Sequence, residues 1–199
     1  MIPLTYGVVV EPESRRKISE ATYSLLREKA ASEVRLRDVA ERAGVSHQTI
    51  YNLVGNTDQL LAAVLNDYVA RTAAKIVPML TEAQENDPVS AVVSFTQAMT
   101  ELVLEDPLPL KAVLQEIGPL NLSKNKTAGL EVLCGNLLEA SGVPLQSAQE
   151  AGRMINYGFR GVLVSWAHGL VRNEDLEAEA KKVAQIIAEE VTSKHAPLN

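Results

Sequence analysis

The sequence predicts an all-α protein of about nine helices, with a small helix-turn-helix head on a larger helical body. Apolar residues recur at helical intervals along nearly the whole chain. Between these periodic segments stand capping residues, glycines and prolines of the kind that start and stop helices. No run alternates apolar with polar residues beside a turn signal, apart from the short Val8–Val10.

Each element follows in order. Ile18, Ala21, Thr22, Leu25 and Leu26 form one apolar stripe over about 14–30. Leu36, Val39, Ala40 and Ala43 repeat the pattern for two turns, and Gly44 ends it, since glycine enters the left-handed region freely. Ser46 caps a short helix carrying Ile50 and Leu53, which Gly55 breaks. Asn56 with Gln59 three residues on forms a capping box, opening a long helix kinked near Pro78. Asp87-Pro88 and Asp106-Pro107 each put a capping acid before a proline at the first helical position. Helices over about 88–104 and 107–117 follow, the second stopped by Gly118-Pro119. Ser123 caps a helix to about 140, ended by Gly142 and Pro144. Ser147 and Glu150 form a second capping box, for a helix reaching about 171. Asn173 caps the last helix, whose acidic first turn (Glu174, Asp175, Glu177) and basic end (Lys194, His195) suit the macrodipole.

Composition narrows the function. The 199 residues are 46% apolar, ordinary for a soluble protein, with 25 acidic against 19 basic side chains. One cysteine, Cys134, excludes an internal disulfide and any multi-cysteine metal site. The best apolar stretch, 161–167, is far shorter than the ~20 residues a bilayer requires, and 1–10 lacks a basic n-region. A cytoplasmic protein is expected. No phosphate-binding glycine loop, nucleophile elbow or His-Glu-x-x-His helix is present, so neither a catalytic nor a metal site is expected, and no cofactor.

The net charge of -6 at first argues against a polyanionic partner, but it is unevenly spread. Residues 14–54 carry eight Lys/Arg against five Asp/Glu, a local +3; from Gly55 onward 11 basic face 18 acidic residues, a local -7. The basic segment is also the one with two short helices about a glycine turn, the arrangement that frees one face of its second helix for a major groove. On that face Ser46, His47, Gln48, Thr49 and Asn52 offer hydrogen bonds and no carboxylate. Gln48 suits an adenine edge, His47 a guanine or phosphate, and Thr49 a phosphate or a thymine methyl. Tyr51 reaches toward backbone phosphate, and Arg35 and Arg37 flank a helix start whose amides can also hold phosphate.

Leu36-Arg37-Asp38-Val39-Ala40-Glu41-Arg42-Ala43-Gly44-Val45-Ser46, continuing through Thr49-Ile50-Tyr51-Asn52-Leu53-Val54-Gly55-Asn56, resembles the DNA-binding head of TetR-family repressors. Leu60-Leu61 and the helix they open match as well; the likeness covers about 15–65. Two positions depart from it. The family usually has an aromatic where Val54 stands, and commonly a phosphate-holding lysine where Thr57 offers a hydroxyl. The resemblance implies a homodimeric transcription regulator with a variable sensing and dimerisation body. Its division here is an extension at 1–13, a head at 14–60 and a body at 61–199. A dimer would place two copies of the Ser46 helix in successive major grooves of a pseudo-palindromic double-stranded DNA operator. A small, mostly apolar effector would then release it. The competing reading is a helical interaction protein with a degenerate head and no sensed ligand.

In the body, the last two helices are expected to pair with their twofold mates in a four-helix bundle. Gly152, Gly158 and Gly161 are then explained by close approach across the dimer; packing within one subunit is the alternative. Candidate liners of a sensing pocket are Phe95, Met99, Leu114, Leu133, Cys134, Met154, Tyr157 and Trp166, with Asn156, Tyr157 and His168 as orienting polar groups. Each apolar candidate also reads as ordinary core. His168 reads as well as a structural or surface histidine, and Cys134 as a small hydrophobe in place of a redox switch.

Overall fold

The computed structural model describes residues 13–83, 87–116 and 128–195. Those residues form nine α-helices and no strand: α1 Glu13–Glu28, α2 Leu36–Ala43, α3 His47–Leu53, α4 Thr57–Ala83, α5 Pro88–Glu105, α6 Pro107–Glu116, α7 Ala128–Ala140, α8 Leu145–Ala167 and α9 Asn173–Lys194. The strand candidate Val8–Val10, the Gly118-Pro119 stop and the Ser123 cap lie outside the described residues. A single 3-10 turn, Ala31–Glu33, joins α1 to α2 and carries no periodicity by which a sequence could announce it.

The N-terminal helices follow their local chemistry. Buried Ile18, Ala21, Thr22, Leu25 and Leu26 give α1 the expected stripe, with Tyr23 also inward. Gly44 takes φ 65°, and the Val45 N–H reaches back to the Ala40 carbonyl at 3.0 Å, closing α2 with a left-handed cap. The Ser46 hydroxyl accepts the Thr49 N–H at 3.0 Å. At the start of α4, the Asn56 N–H donates to Gln59 Oε1 and the Gln59 N–H to Asn56 Oδ1, both at 2.9 Å, a reciprocal capping box. Asp87 caps α5 through the Val89 N–H at 3.0 Å.

The later helix ends depart from expectation. α8 starts at Leu145 behind Pro144, two residues before the Ser147/Glu150 pair. The Pro144 carbonyl accepts the Ala148 N–H at 2.9 Å, so the helix is running before the capping box is reached. It also stops at Ala167, short of 171, where Gly169 adopts φ 79° and the Leu170 N–H returns to Ser165 O. Asn173 does not cap α9. Its Oδ1 accepts the Trp166 indole N–H at 2.9 Å and Lys111 Nζ at 3.1 Å, and Arg172 occupies the cap position. Asp106 is likewise taken by a distant partner, Arg27 of α1, at 2.5 Å.

Two apolar clusters hold the helices together. One joins Ile18, Val34, Val39 and Ile50 of the N-terminal helices to Leu61 and Leu65 of α4, Leu110 and Val113 of α6, and Trp166 and Leu176 beyond. It crosses residue 60 without a break, so the head and the near end of the body share one core. The other lies farther along α5 and α7–α9, around Phe95, Leu138, Ile155 and Ala184. Small residues let these helices approach closely. A Cβ on Gly152 would lie 2.3 Å from the Glu131 carbonyl oxygen of α7, and one on Gly158 would lie 2.3 Å from Val183 Cγ1 of α9. Packing inside one subunit therefore accounts for both glycines. Of the three α8 glycines, Gly161 alone has no atom within 4 Å of such a Cβ and faces open space.

Candidate nucleic-acid interface and body cavity

α3 is anchored by one side chain and exposed by most others. Ile50 is fully buried, with Val45, Leu53 and Val54 packed partly against the same core. His47, Gln48, Tyr51 and Asn52 are exposed, Tyr51 by 60%. Gln48 Nε2 donates to Asn52 Oδ1 at 2.8 Å, which sets the two amides side by side one turn apart. Ser46 is exposed and Thr49 half-buried; their hydroxyls lie 2.8 Å apart while Ser46 serves as cap. Thr57 is half-buried at the first position of α4.

The local +3 is mostly used internally. Arg42 holds Glu28 through two hydrogen bonds, at 2.6 and 2.8 Å, tying α2 to α1. Lys29 reaches Asp38 at 2.6 Å, Arg16 pairs with Glu20, Lys17 with Glu13, and Arg27 with Asp106. Arg37 touches Asp38 at 3.3 Å but is 85% exposed, and Arg35 stands exposed at the cap position of α2 with no ion pair among the described residues. Counting charges in the sequence found the basic segment; it could not say which cations remain for another molecule. Arg35 and Arg37 stay exposed on the rim of α2, as does Arg15 on α1, and of these Arg15 and Arg35 have no ion pair among the described residues.

The same pairs set an acid dependence. The hydrogen bond from Lys29 holds the Asp38 carboxyl below its ordinary range, and that from Arg42 does the same for Glu28. A carboxylate with a lowered folded-state pKa contributes stability above its unfolded value and loses it as pH falls through the folded one. Stability should therefore decline below about pH 4.5, the usual Glu value. Glu28→Gln with Asp38→Asn should flatten that slope in denaturant titrations at stepped pH. An unchanged slope would remove these two pairs as its source.

Two cavities lie in and below the α1–α4 junction. The larger, about 350 Å³ and open, is bordered by Tyr23, Arg27, Tyr68, Arg71, Lys75 and Asp106. Its cations are engaged: Arg27 with Asp106, Arg71 with Asp67, and Lys75 with Glu105 at 3.2 Å. The Tyr23 hydroxyl donates to the Val64 carbonyl at 3.2 Å beneath the Arg71 guanidinium, 5.1 Å from the ring centre. Burial pushes that phenol well above its ordinary range.

The second cavity, about 60 Å³, is apolar and lies between α4, α5, α6, α7 and α8. Met99, Leu114 and Asn156 line it, together with Leu65, Tyr68, Val103, Phe159 and Arg160, which sequence reasoning did not single out. The remaining candidates lie elsewhere. Phe95, Cys134 and Trp166 are core, and Leu133 packs partly against the distal cluster. Met154, Tyr157 and His168 are exposed. Burial raises the Cys134 thiol to about 12, which suits a small hydrophobe and not a redox switch. Helical spacing marks a buried face but not whether that face meets another helix or a void. Arg160 did carry a readable signal, standing one turn after Asn156 on the same face of α8.

The exposed helix α3 beyond a glycine turn, set on an all-helical body with its own cavity, is a helix-turn-helix head on a helical body. Residues 18–64 match the family model described as bacterial regulatory proteins, tetR family. This chain has a TetR-family head and the fold of TetR-family transcriptional regulators. No curated protein matches it. Among solved structures it is similar to a TetR transcriptional regulator from Rhodococcus sp. RHA1, at 24% identity and TM-score 0.69 over 88% of this chain and 95% of that one. Thermus thermophilus FadR, a repressor solved with lauroyl-CoA, gives 21% identity and TM-score 0.70 over 93% and 98%. The repressor AlkX of Dietzia sp. strain DQ12-45-1b, implicated in n-alkane biodegradation, gives 21% and 0.64 over 92% and 97%. At such identities the likeness establishes the fold. Among the described residues no helix is long and apolar enough to cross a membrane.

Proposed function

We propose that this chain is a cytoplasmic, dimeric repressor that reads a pseudo-palindromic operator with α3 and is released by a small, mainly apolar effector. The observation that carries this reading is the exposed face of α3, where His47, Gln48, Tyr51 and Asn52 project from a helix anchored by buried Ile50. Such a face has no work to do inside the fold and the right chemistry for base edges and phosphates. Ser46, Thr49 and Thr57 border it at two helix starts, with Arg35 and Arg37 placed for flanking phosphates.

Dimerisation through the last two helices is supported by Met154 and Tyr157 on α8 and Ile186 on α9, large apolar side chains about half exposed. Effector control is supported by the shared core. Leu65 lines the apolar cavity and belongs to the same cluster as Ile50, so widening the cavity shifts the helix that carries the head. An effector acts only through its different affinity for the two spacings of the heads. That the similarly folded FadR was solved with an acyl-CoA supports an apolar-bodied effector.

The test is salt-dependent fluorescence anisotropy on duplexes from upstream of the chain's own gene and on random duplexes. A preference for the upstream duplex is expected, with affinity falling steeply as salt rises. Gln48→Ala should lose about 1–3 kcal/mol on the preferred sequence and little on others, whereas Tyr51→Ala should weaken all sequences alike. Equal loss on every sequence for Gln48→Ala would refute base reading by that residue, and no preference in the parent protein would refute the operator reading.

A further inference from the structure

Four polar side chains are buried among the described residues: Thr22, Thr96, Thr100 and Asn156. The three threonines are satisfied by carbonyls one turn earlier, Thr22 to Ile18 at 2.7 Å, Thr96 to Val92 at 2.9 Å and Thr100 to Thr96 at 2.8 Å. Asn156 is 4% exposed, lines the apolar cavity, and makes no side-chain hydrogen bond among the described residues. Asn156 borders the cavity, so a group entering the void can supply the partner its amide lacks among the described residues. One turn later on α8, half-buried Arg160 lines the same cavity and likewise has no carboxylate partner among the described residues. In the junction cavity, by contrast, Arg27, Arg71 and Lys75 are all matched to acids.

We infer that the effector of this regulator is an aliphatic carboxylate, with its charged end held by Arg160 and Asn156 and its chain among Leu65, Met99, Leu114 and Phe159. A guanidinium fork matches a carboxylate in both charge and geometry, and the Asn156 NH2 supplies a third donor to the same group. One cation balances one negative charge. A phosphate monoester dianion would leave a charge uncompensated beside apolar walls. The cavity of about 60 Å³ is small against a typical ligand site, so a chain of several carbons must part α4 from α5, α6 and α8 to enter. That requirement couples occupancy to the helix bearing the head. The inference rests on the effector-controlled regulator proposed above.

Calorimetric titration of the full chain with octanoate, 1-octanol and octylamine tests it, because the three probes share a chain and differ in head group. Octanoate should bind at least tenfold more tightly than octanol, and octylamine weakest. Arg160→Gln should reduce octanoate affinity by about 10- to 100-fold and leave octanol unchanged, which also shows the variant folded. Arg160→Lys should restore part of the loss. Octanol binding as tightly as octanoate, octanoate affinity indifferent to Arg160→Gln, or no octanoate binding at millimolar concentration would each overturn the assignment. Operator preference, measured in parallel without probe, separates the two levels. Its retention with no octanoate binding removes the carboxylate alone, and its absence removes the regulator reading itself.

Discussion

Trp166→Ala should lower stability by about 3–5 kcal/mol, the loss typical of removing a large aromatic from a core. Trp166 is fully buried in the cluster that continues from Ile18 and Ile50 through Val113 to Leu176. It also fixes the turn between α8 and α9. Its indole N–H donates to Asn173 Oδ1 at 2.9 Å, and Lys111 Nζ sits 4.6 Å from the ring centre while donating to the same oxygen. Truncation removes the packing, the cation–π contact and one of the two donors at once. Trp166→Phe separates these contributions, since it keeps most of the area and loses the N–H, for about 1 kcal/mol from the hydrogen bond. Urea titrations followed by circular dichroism measure both, because the chain has one tryptophan and the variants lose its fluorescence. A loss below about 1 kcal/mol for the alanine variant would show that the site collapses around the gap.

Gly152→Ala should cost about 1–3 kcal/mol although it adds one methyl group and improves helix propensity. The new Cβ would meet the Glu131 carbonyl oxygen at 2.3 Å and the Gly135 backbone nitrogen at 2.9 Å. Backbone cannot rotate away as a side chain can, so α7 and α8 must separate along the close contact that Gly135 and Gly152 make together. Gly161→Ala is the control on the same helix. With nothing within 4 Å, it should leave the subunit unharmed or stabilise it by up to about 1 kcal/mol. If Gly161→Ala proved the more damaging in thermal unfolding, the tightest approach would lie between subunits and not within one.

Local rules carried much of this molecule. The Ser46 cap, the Gly44 turn, the Asn56–Gln59 box and the α1 stripe involve residues within four positions of one another. Their spacing alone is enough to read them, and the family likeness over the head rests on the same residues. Where a side chain had a distant partner, the local rule failed. Asn173 looks like a cap and binds Trp166 and Lys111 in its place; Asp106 looks like a cap and holds Arg27. Pocket residues were the hardest to place. Met99 and Leu114 border the cavity while Phe95 and Trp166, equally apolar and equally periodic, are core.

The charge split that exposed the head could be read along the chain, but not which cations stay unpaired. Arg42 and Lys29 are bound to Glu28 and Asp38, Arg37 touches Asp38 while staying exposed, and Arg15 and Arg35 have no ion pair among the described residues. Sequence therefore settles the helices, their order and the chemistry of the face that α3 presents, because those depend on neighbours a turn or less away. Tertiary packing decides which polar side chains find partners, where the void falls, and why Gly152 must be glycine. Each of those depends on atoms brought together from helices far apart in the chain, and no periodicity encodes them.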